Sequence, residues 1–79
     1  MIVKEFGGFY AVTPSNTVDL PQPAIALWIG GTGTIVADDF QGNTSVTFSA
    51  IPAGSLLRGN FKRVRATSSA TLIVAYTSP

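Results

Sequence analysis

The sequence predicts an all-β protein: a small antiparallel β-sandwich or barrel of about 6–7 short strands, forming a single domain over residues 1–79. Valine, isoleucine and threonine recur along the chain, as is typical of strands. Eight glycines and five prolines divide the chain into short segments. No apolar period of 3.6 residues persists, so no helix is indicated.

Seven segments have the composition of strands and are separated by turn residues. They are predicted at 9–13, 24–29, 34–37, 45–51, 55–57, 61–66 and 70–76. Tight hairpins are indicated by the glycines of GGTG at 30–33 and QGN at 41–43, and IPAGS at 51–55 pairs a proline with a glycine. The longest proline-rich stretch, TPSNTVDLPQP at 13–23, is expected to be an ordered loop or arm.

The clearest alternation is in SVTFSAI. Val46, Phe48 and Ala50 share one face of the predicted strand, while the intervening serines and threonine share the other. This pattern predicts a sheet with one buried and one solvated face.

Two other segments are apolar on both faces. In the strand predicted at 24–29, one face carries Ile25, Leu27 and Ile29, and the other carries Ala24, Ala26 and Trp28. In TLIVAYT, one face carries Leu72, Val74 and Tyr76, and the other carries Ile73 and Ala75. Such strands either lie inside a two-sided core or have one face covered by a neighbouring subunit. For a chain of this length we expect a neighbouring subunit to cover one face of these strands.

The composition independently predicts self-association. The chain is 46% hydrophobic and 11% charged, against roughly 25% charged residues in a typical domain. Small domains usually gain stability from disulfides, a metal or oligomerisation, and this chain has no cysteine and no histidine. The candidate residues for subunit burial are Trp28, Phe40, Leu72, Val74 and Tyr76.

The polar residues argue against an enzyme, a metal site or a cofactor. Without histidine, a serine nucleophile would need a lysine or carboxylate base, and neither Lys4 nor Lys62 lies in an S-x-x-K arrangement. GGTG lacks the following Lys-Ser/Thr of a phosphate-binding loop. Asp38 and Asp39 offer two carboxylates where Ca²⁺ needs about six oxygens, so we expect solvated aspartates beside a turn.

Four of the five basic residues are clustered. They are Arg58, Lys62, Arg63 and Arg65. If 61–66 is a strand, Phe61, Arg63 and Arg65 share one face. That face is either a solvated edge that blocks aggregation, or a subunit or partner contact pairing with carboxylates such as Asp38 or Asp39 of a neighbour. A nucleic-acid platform ranks last, because the aromatic residues are dispersed and the net charge is +1.

The start of the chain suggests an arm. Residues 1–8 are a candidate N-terminal arm that orders on assembly. MIVKEFGGFY contains no apolar signal-peptide core. No apolar run reaches the 18 or so residues of a membrane-spanning helix, and no membrane partner is expected.

The order of several motifs resembles a known family. AVTPSNTVDLP, ALWIGGTGTI, VTFSAIPAGSLL, KRVRAT and LIVAYT occur in succession between residues 10 and 76. Together they resemble very small β-structured proteins encoded among the structural genes of tailed bacteriophages and prophages. TPSNT and IPAGSLL match most closely. The resemblance implies a virion component, such as a capsid decoration or a head, tail or spike attachment protein.

The composition and the resemblance together predict a symmetric homo-oligomer in the virion. A trimer ranks first and a pentamer or hexamer next, with other virion proteins as further partners. Two alternatives remain at this stage. One is a small nucleic-acid-binding module that uses the basic segment 58–65. The other is a receptor-binding tip domain that uses the loops around Gly31 and Gly42.

Overall fold

The computed structural model describes residues 6–79, which form seven strands in two antiparallel sheets. The strands are β1 (Gly8–Ala11), β2 (Ala24–Gly31), β3 (Gly33–Asp38), β4 (Val46–Ile51), β5 (Ser55–Phe61), β6 (Arg63–Val64) and β7 (Thr71–Thr77). One sheet has the order β1-β7-β2-β5 and the other β4-β3-β6. The predicted all-β fold is confirmed, as a sandwich. Within residues 6–79 there is no helix long and apolar enough to cross a membrane.

The predicted N-terminal arm lies only partly in the described residues. Residues 1–5 are outside them. The Gly7 N–H donates to the Thr77 carbonyl at 2.8 Å, and Gly8 begins β1. The end of the predicted arm therefore runs beside β7.

A single core fills the space between the sheets. Four large side chains are fully buried there: Leu27, Ile29, Ile35 and Val64. Each contributes about 1.5–3 kcal/mol relative to an exposed position. Because both sheets supply them, neither sheet has an apolar core without the other.

The two strands predicted to be apolar on both faces are central in the larger sheet. In β7, Ile73 and Ala75 belong to the core and their neighbours point outward, as the alternation predicts. In β2 the alternation holds only from Ala26 onward. Ala24 belongs to the core whereas Ile25 does not, because the pairing with β5 shifts register between Ala24 and Ala26.

The predicted dry face of β4 is wrong in part. Phe48 packs against the core, but Val46 is 42% exposed. The pairing with β3 shifts register in this region, and Ala50 has a φ of 55°. This irregularity brings Ile51, rather than Ala50, against the core.

The single strand predicted at 61–66 is also wrong. β5 continues to Phe61, a bend follows, and β6 contains two residues. Phe61 and Val64 both enter the core. The proposed shared face of Phe61 with Arg63 and Arg65 does not exist, because the bend turns the aromatic ring inward.

The proline-rich segment 13–23 is an ordered loop that runs beside the edge strand β6 of the smaller sheet. The Ser15 N–H donates to the Val64 carbonyl and the Leu20 N–H to the Lys62 carbonyl, at 2.8 and 2.9 Å. The Tyr10 hydroxyl donates to the Gln22 carbonyl at 2.6 Å. These bonds tie the loop to β6 and β1.

Gly33 provides a test of the packing between β3 and the chain that precedes β7. A Cβ at Gly33 would lie 2.5 Å from the Ala70 nitrogen and 2.7 Å from its Cα. We expect Gly33→Ala to lower the free energy of unfolding by about 1–3 kcal/mol, measured by urea denaturation. Gly8→Ala is the control, because its Cβ would make an ordinary 3.5 Å contact with Thr77 Oγ1. Equal losses in the two variants would contradict this prediction.

Candidate functional site

The face of the larger sheet that points away from the core carries large apolar side chains. Leu72 is 77% exposed, Phe9 75% and Trp28 40%. We call this surface the outer apolar face. It is formed by Phe9, Trp28, Leu56, Leu72, Val74 and Tyr76. Apolar side chains gathered on one exposed surface mark an interaction site more often than scattered ones do.

Strand register makes this surface continuous. Trp28 lies opposite Val74 in β7 and opposite Leu56 in β5. Phe9 in the edge strand β1 lies opposite Tyr76. Side chains opposite each other in adjacent strands are about 4.5–5.5 Å apart at Cβ, so they leave little room for water between them.

Aromatic rings cluster at one end of the outer apolar face, and the guanidinium of Arg58 lies beside them. The Tyr76 ring lies 4.5 Å from the Phe6 ring and 6.1 Å from the Phe9 ring, centroid to centroid. The Arg58 guanidinium carbon is 5.8 Å from the Phe6 centroid. Arg58 reaches this position because it pairs with Ala26 in the adjacent strand. The guanidinium thus borders the aromatic group through a cation–π contact.

Four of the five predicted interface residues share this face. Trp28, Leu72, Val74 and Tyr76 come together on it through the register of β2 with β7. Phe40 does not, because it follows β3 in the loop to β4, where it is 53% exposed. The participation of all five in subunit contacts stays a prediction.

A second apolar surface is a cleft between β4 and β5. It has a volume of about 180 Å³. Val46, Phe48 and Phe61 supply its large apolar side chains, and its polar lining residues are Asp38, Asp39, Arg58 and Asn60. The Phe48 and Phe61 rings meet edge to face with centroids 6.3 Å apart. The cleft is open to solvent, and the apolar part of its lining suits an apolar side chain.

Asp38, at the end of β3, is the centre of an ion-pair network. Its two carboxylate oxygens accept hydrogen bonds from Arg65 Nε at 3.0 Å and Nη2 at 2.7 Å. The Ser45 N–H donates to the same carboxylate at 2.8 Å. Asp38 is only 5% exposed, so the expectation of a solvated aspartate is wrong at this position. The bidentate pair expected with a neighbouring chain forms within this one.

Arg63 holds the loop 13–23. Its Nη2 lies 2.7 Å from Asp19 Oδ1, and its Nη1 donates to the Asn16 carbonyl at 3.1 Å. Arg63 is therefore bound to carboxylate and carbonyl groups of its own chain, as Arg65 is. A contact of either arginine with a partner stays a prediction.

The basic cluster lacks the geometry of a nucleic-acid platform. Such platforms stack bases on exposed aromatic rings beside uncompensated cations. Phe61 is buried, and Arg63 and Arg65 face carboxylates. Of the other two basic residues, Arg58 borders the outer apolar face, and Lys62 is exposed at the bend after β5.

Hydrogen bonds and burial within the fold shift the pKa values of several groups. The Arg65 hydrogen bonds hold the pKa of Asp38 below its ordinary value. The Asn43 side chain and the Gln41 N–H lower the pKa of Asp39, and burial raises that of the Tyr10 hydroxyl. Each shift has a structural cause within the fold. Among residues 6–79, no group of three or more histidine, cysteine, aspartate or glutamate side chains is placed to bind a metal ion.

Sequence analysis missed Phe9, Leu56 and the cleft. Phe9 and Tyr10 are adjacent aromatic residues, and period-2 alternation alone does not tell which of them faces the core. Leu56 and Leu57 pose the same ambiguity. The cleft arises where β4 and β5 diverge into different sheets, which no local pattern encodes.

A solved structure contains a similar chain. That structure is the capsid of a native GTA (gene transfer agent) particle computed with C5 symmetry, and the matched chain is 36% identical in sequence. The match covers 90% of this chain and 82% of that chain, with a TM-score of 0.78. No protein-family model matches this chain, and no curated protein matches it significantly.

The Asp38–Arg65 pair predicts how stability depends on pH. Because the pKa of Asp38 is lowered in the folded state, the pair stabilises the fold above the ordinary carboxyl pKa of 3.8, and this contribution is lost as pH falls through the lowered value. We expect Asp38→Asn to reduce the free energy of unfolding at pH 7 by about 2 kcal/mol, and to flatten its decline below about pH 4. Chemical denaturation at a series of pH values measures both.

Asp19→Asn is the matched control for this variant. It removes the more exposed partner of Arg63, whose carboxylate is 45% exposed, and such pairs contribute about 0–1 kcal/mol. If Asp38→Asn were as mild as this control, or followed the wild-type acid profile, the Asp38–Arg65 pair would not be stabilising the fold.

Proposed function

Since the chain belongs to the family of the matched protein in the capsid of the GTA particle, we propose that it is a non-enzymatic structural component of a phage-like particle, acting as a symmetric homo-oligomer. Its location is the virion. The resemblance seen in the sequence is supported at the level of a phage-like capsid. The observation that carries the proposal is the 36% identity over 90% of the chain. The outer apolar face supplies the physical reason for assembly.

The size of the outer apolar face favours a closed ring or cluster over a single pairwise contact. Four strands about 4.8 Å apart and about 20 Å long present roughly 400 Å². A stable interface buries about 800 Å² on each partner, so this face supplies about half of that area. Association itself costs about 4–15 kcal/mol. One such contact is marginal, whereas a closed symmetric oligomer gives every copy two contacts.

The copy number has three candidates. The sequence predicts a trimer first and a pentamer or hexamer next. The capsid of the related particle was computed with C5 symmetry, with which five copies around a fivefold axis are compatible. All three arrangements are closed rings in which each copy meets two neighbours, so the same surfaces serve each number.

Contacts with other virion proteins would use the polar surface outside the outer apolar face. Arg63 and Arg65 already bind carboxylates of their own chain. Lys62 is exposed at the bend after β5 and is the strongest candidate of the four clustered basic residues for contact with a carrier protein. The protein would serve either as a capsid decoration or as an attachment protein at the head, tail or spike.

The native mass of the purified protein tests the homo-oligomer. We expect a discrete multiple of 8.2 kDa in sedimentation or native mass spectrometry, and this mass should persist on dilution. Trp28→Glu should reduce it to the monomer, because the substitution places a carboxylate in the middle of the outer apolar face. Circular dichroism should show that the variant remains folded.

Thr47→Glu is the matched control, since Thr47 is exposed on β4 and lies outside the outer apolar face. It should keep the wild-type mass. A wild-type chain that stays at 8.2 kDa at all concentrations would overturn the homo-oligomer. An oligomer unaffected by Trp28→Glu would instead exclude this face from the contact.

A further inference from the structure

Leu72 combines two features that are unfavourable in a single chain. Its backbone φ is 54°, in the left-handed region that bulky side chains rarely adopt. Its side chain is also 77% exposed to solvent. Residues held in such conformations cost about 1–3 kcal/mol each and concentrate at functional positions.

The opposite strand is shaped around Leu72. A Cβ at Gly30 would lie 2.7 Å from Leu72 Cβ and 2.8 Å from its carbonyl oxygen. Any larger residue at position 30 would therefore push Leu72 away. Gly30 leaves room for the leucine in its strained conformation, in which the side chain stands out from the outer apolar face.

The cleft between β4 and β5 has the size and chemistry to receive such a side chain. Its volume is about 180 Å³, and Val46, Phe48 and Phe61 form its apolar lining. An apolar cavity of about 150 Å³ in another protein is large enough to bind benzene. An isobutyl group fits within that volume.

We propose that Leu72 of one copy inserts into the Val46–Phe48–Phe61 cleft of the next copy, so that the subunits join head to tail. This inference rests on the self-association proposed above and identifies the contact. A ring of three or more copies needs two different complementary surfaces on each subunit. A projecting leucine and an open apolar cleft provide such a pair.

The area of the outer apolar face favours this arrangement over two such faces stacked together. A stable interface buries about 800 Å² on each partner, and the face offers roughly half of that. In a head-to-tail ring every copy covers its outer apolar face against one neighbour and its cleft region against the other. Each copy then buries more apolar surface in total than it would with two faces stacked, and Val46 becomes covered as well as Leu72.

Introduced cysteines test the contact, because the natural chain has none. Leu72→Cys and Val46→Cys chains, carrying different tags, are refolded together and oxidised. We expect a disulfide between the two variants, since such a bond forms only where Cα atoms come within about 7 Å. Thr47→Cys is the matched control. Thr47 points to the opposite side of β4 from Val46, and it should not link to Leu72→Cys.

The outcomes separate this contact from the proposed function. Disulfides between Leu72→Cys chains alone would mean that two outer apolar faces stack on each other, which overturns the proposal. A stable oligomer with no Leu72–Val46 link also overturns it, while homo-oligomerisation stands. A wild-type chain that stays monomeric would overturn both the Leu72–cleft contact and the proposed homo-oligomer.

Leu72→Gly distinguishes an assembly role from a role in the fold. Glycine adopts a φ of 54° without steric cost. Under dilute conditions we expect an unfolding midpoint at or above that of the wild type, together with assembly weakened at least about tenfold. A lowered midpoint with unchanged assembly would show that Leu72 serves the fold of its own chain, and would overturn the proposal.

Discussion

The uncovered outer face of the larger sheet is the constraint from which the other features follow. The smaller sheet has three strands, and β6 contributes only two residues to it. These strands cover one face of the larger sheet and form one core with it. No layer within residues 6–79 covers the other face, where Trp28 and Leu72 remain exposed. A neighbouring subunit can cover this face.

The ion-pair network leaves fewer charged groups on the surface for contacts with partners. Asp38 is buried and joins the end of β3 to Arg65, while Arg63 fastens the loop 13–23 through Asp19. Loss of Arg65 would leave the buried Asp38 carboxylate unpaired, which is costly. Two cations that look available in the sequence are therefore committed inside the chain. The surface left for assembly is mainly apolar, which suits a permanent contact better than a salt-sensitive one.

Much of the fold could be predicted from the sequence, because side-chain direction in a regular strand follows a period of two. The alternation of β7 gave the outer apolar face at positions 72, 74 and 76 correctly. Prediction failed where the chain departs from regularity without glycine or proline, as at the bend after Phe61 and at Ala50, an alanine with φ of 55°. The ion pair of Arg63 with Asp19 joins residues 44 positions apart. Such a pair depends on topology, so no local pattern indicates it.

Strain and exposed apolar surface in one subunit have a consequence for how the protein is stabilised. A conformation such as that of Leu72 destabilises the isolated chain, and the subunit contact that we propose would offset this cost. Association stabilises the folded chain in proportion to the logarithm of subunit concentration. A particle fixes many copies side by side, where that concentration is effectively high. In the proposed oligomer, folding and assembly are therefore coupled, and a domain that is marginal by itself gains stability from its neighbours.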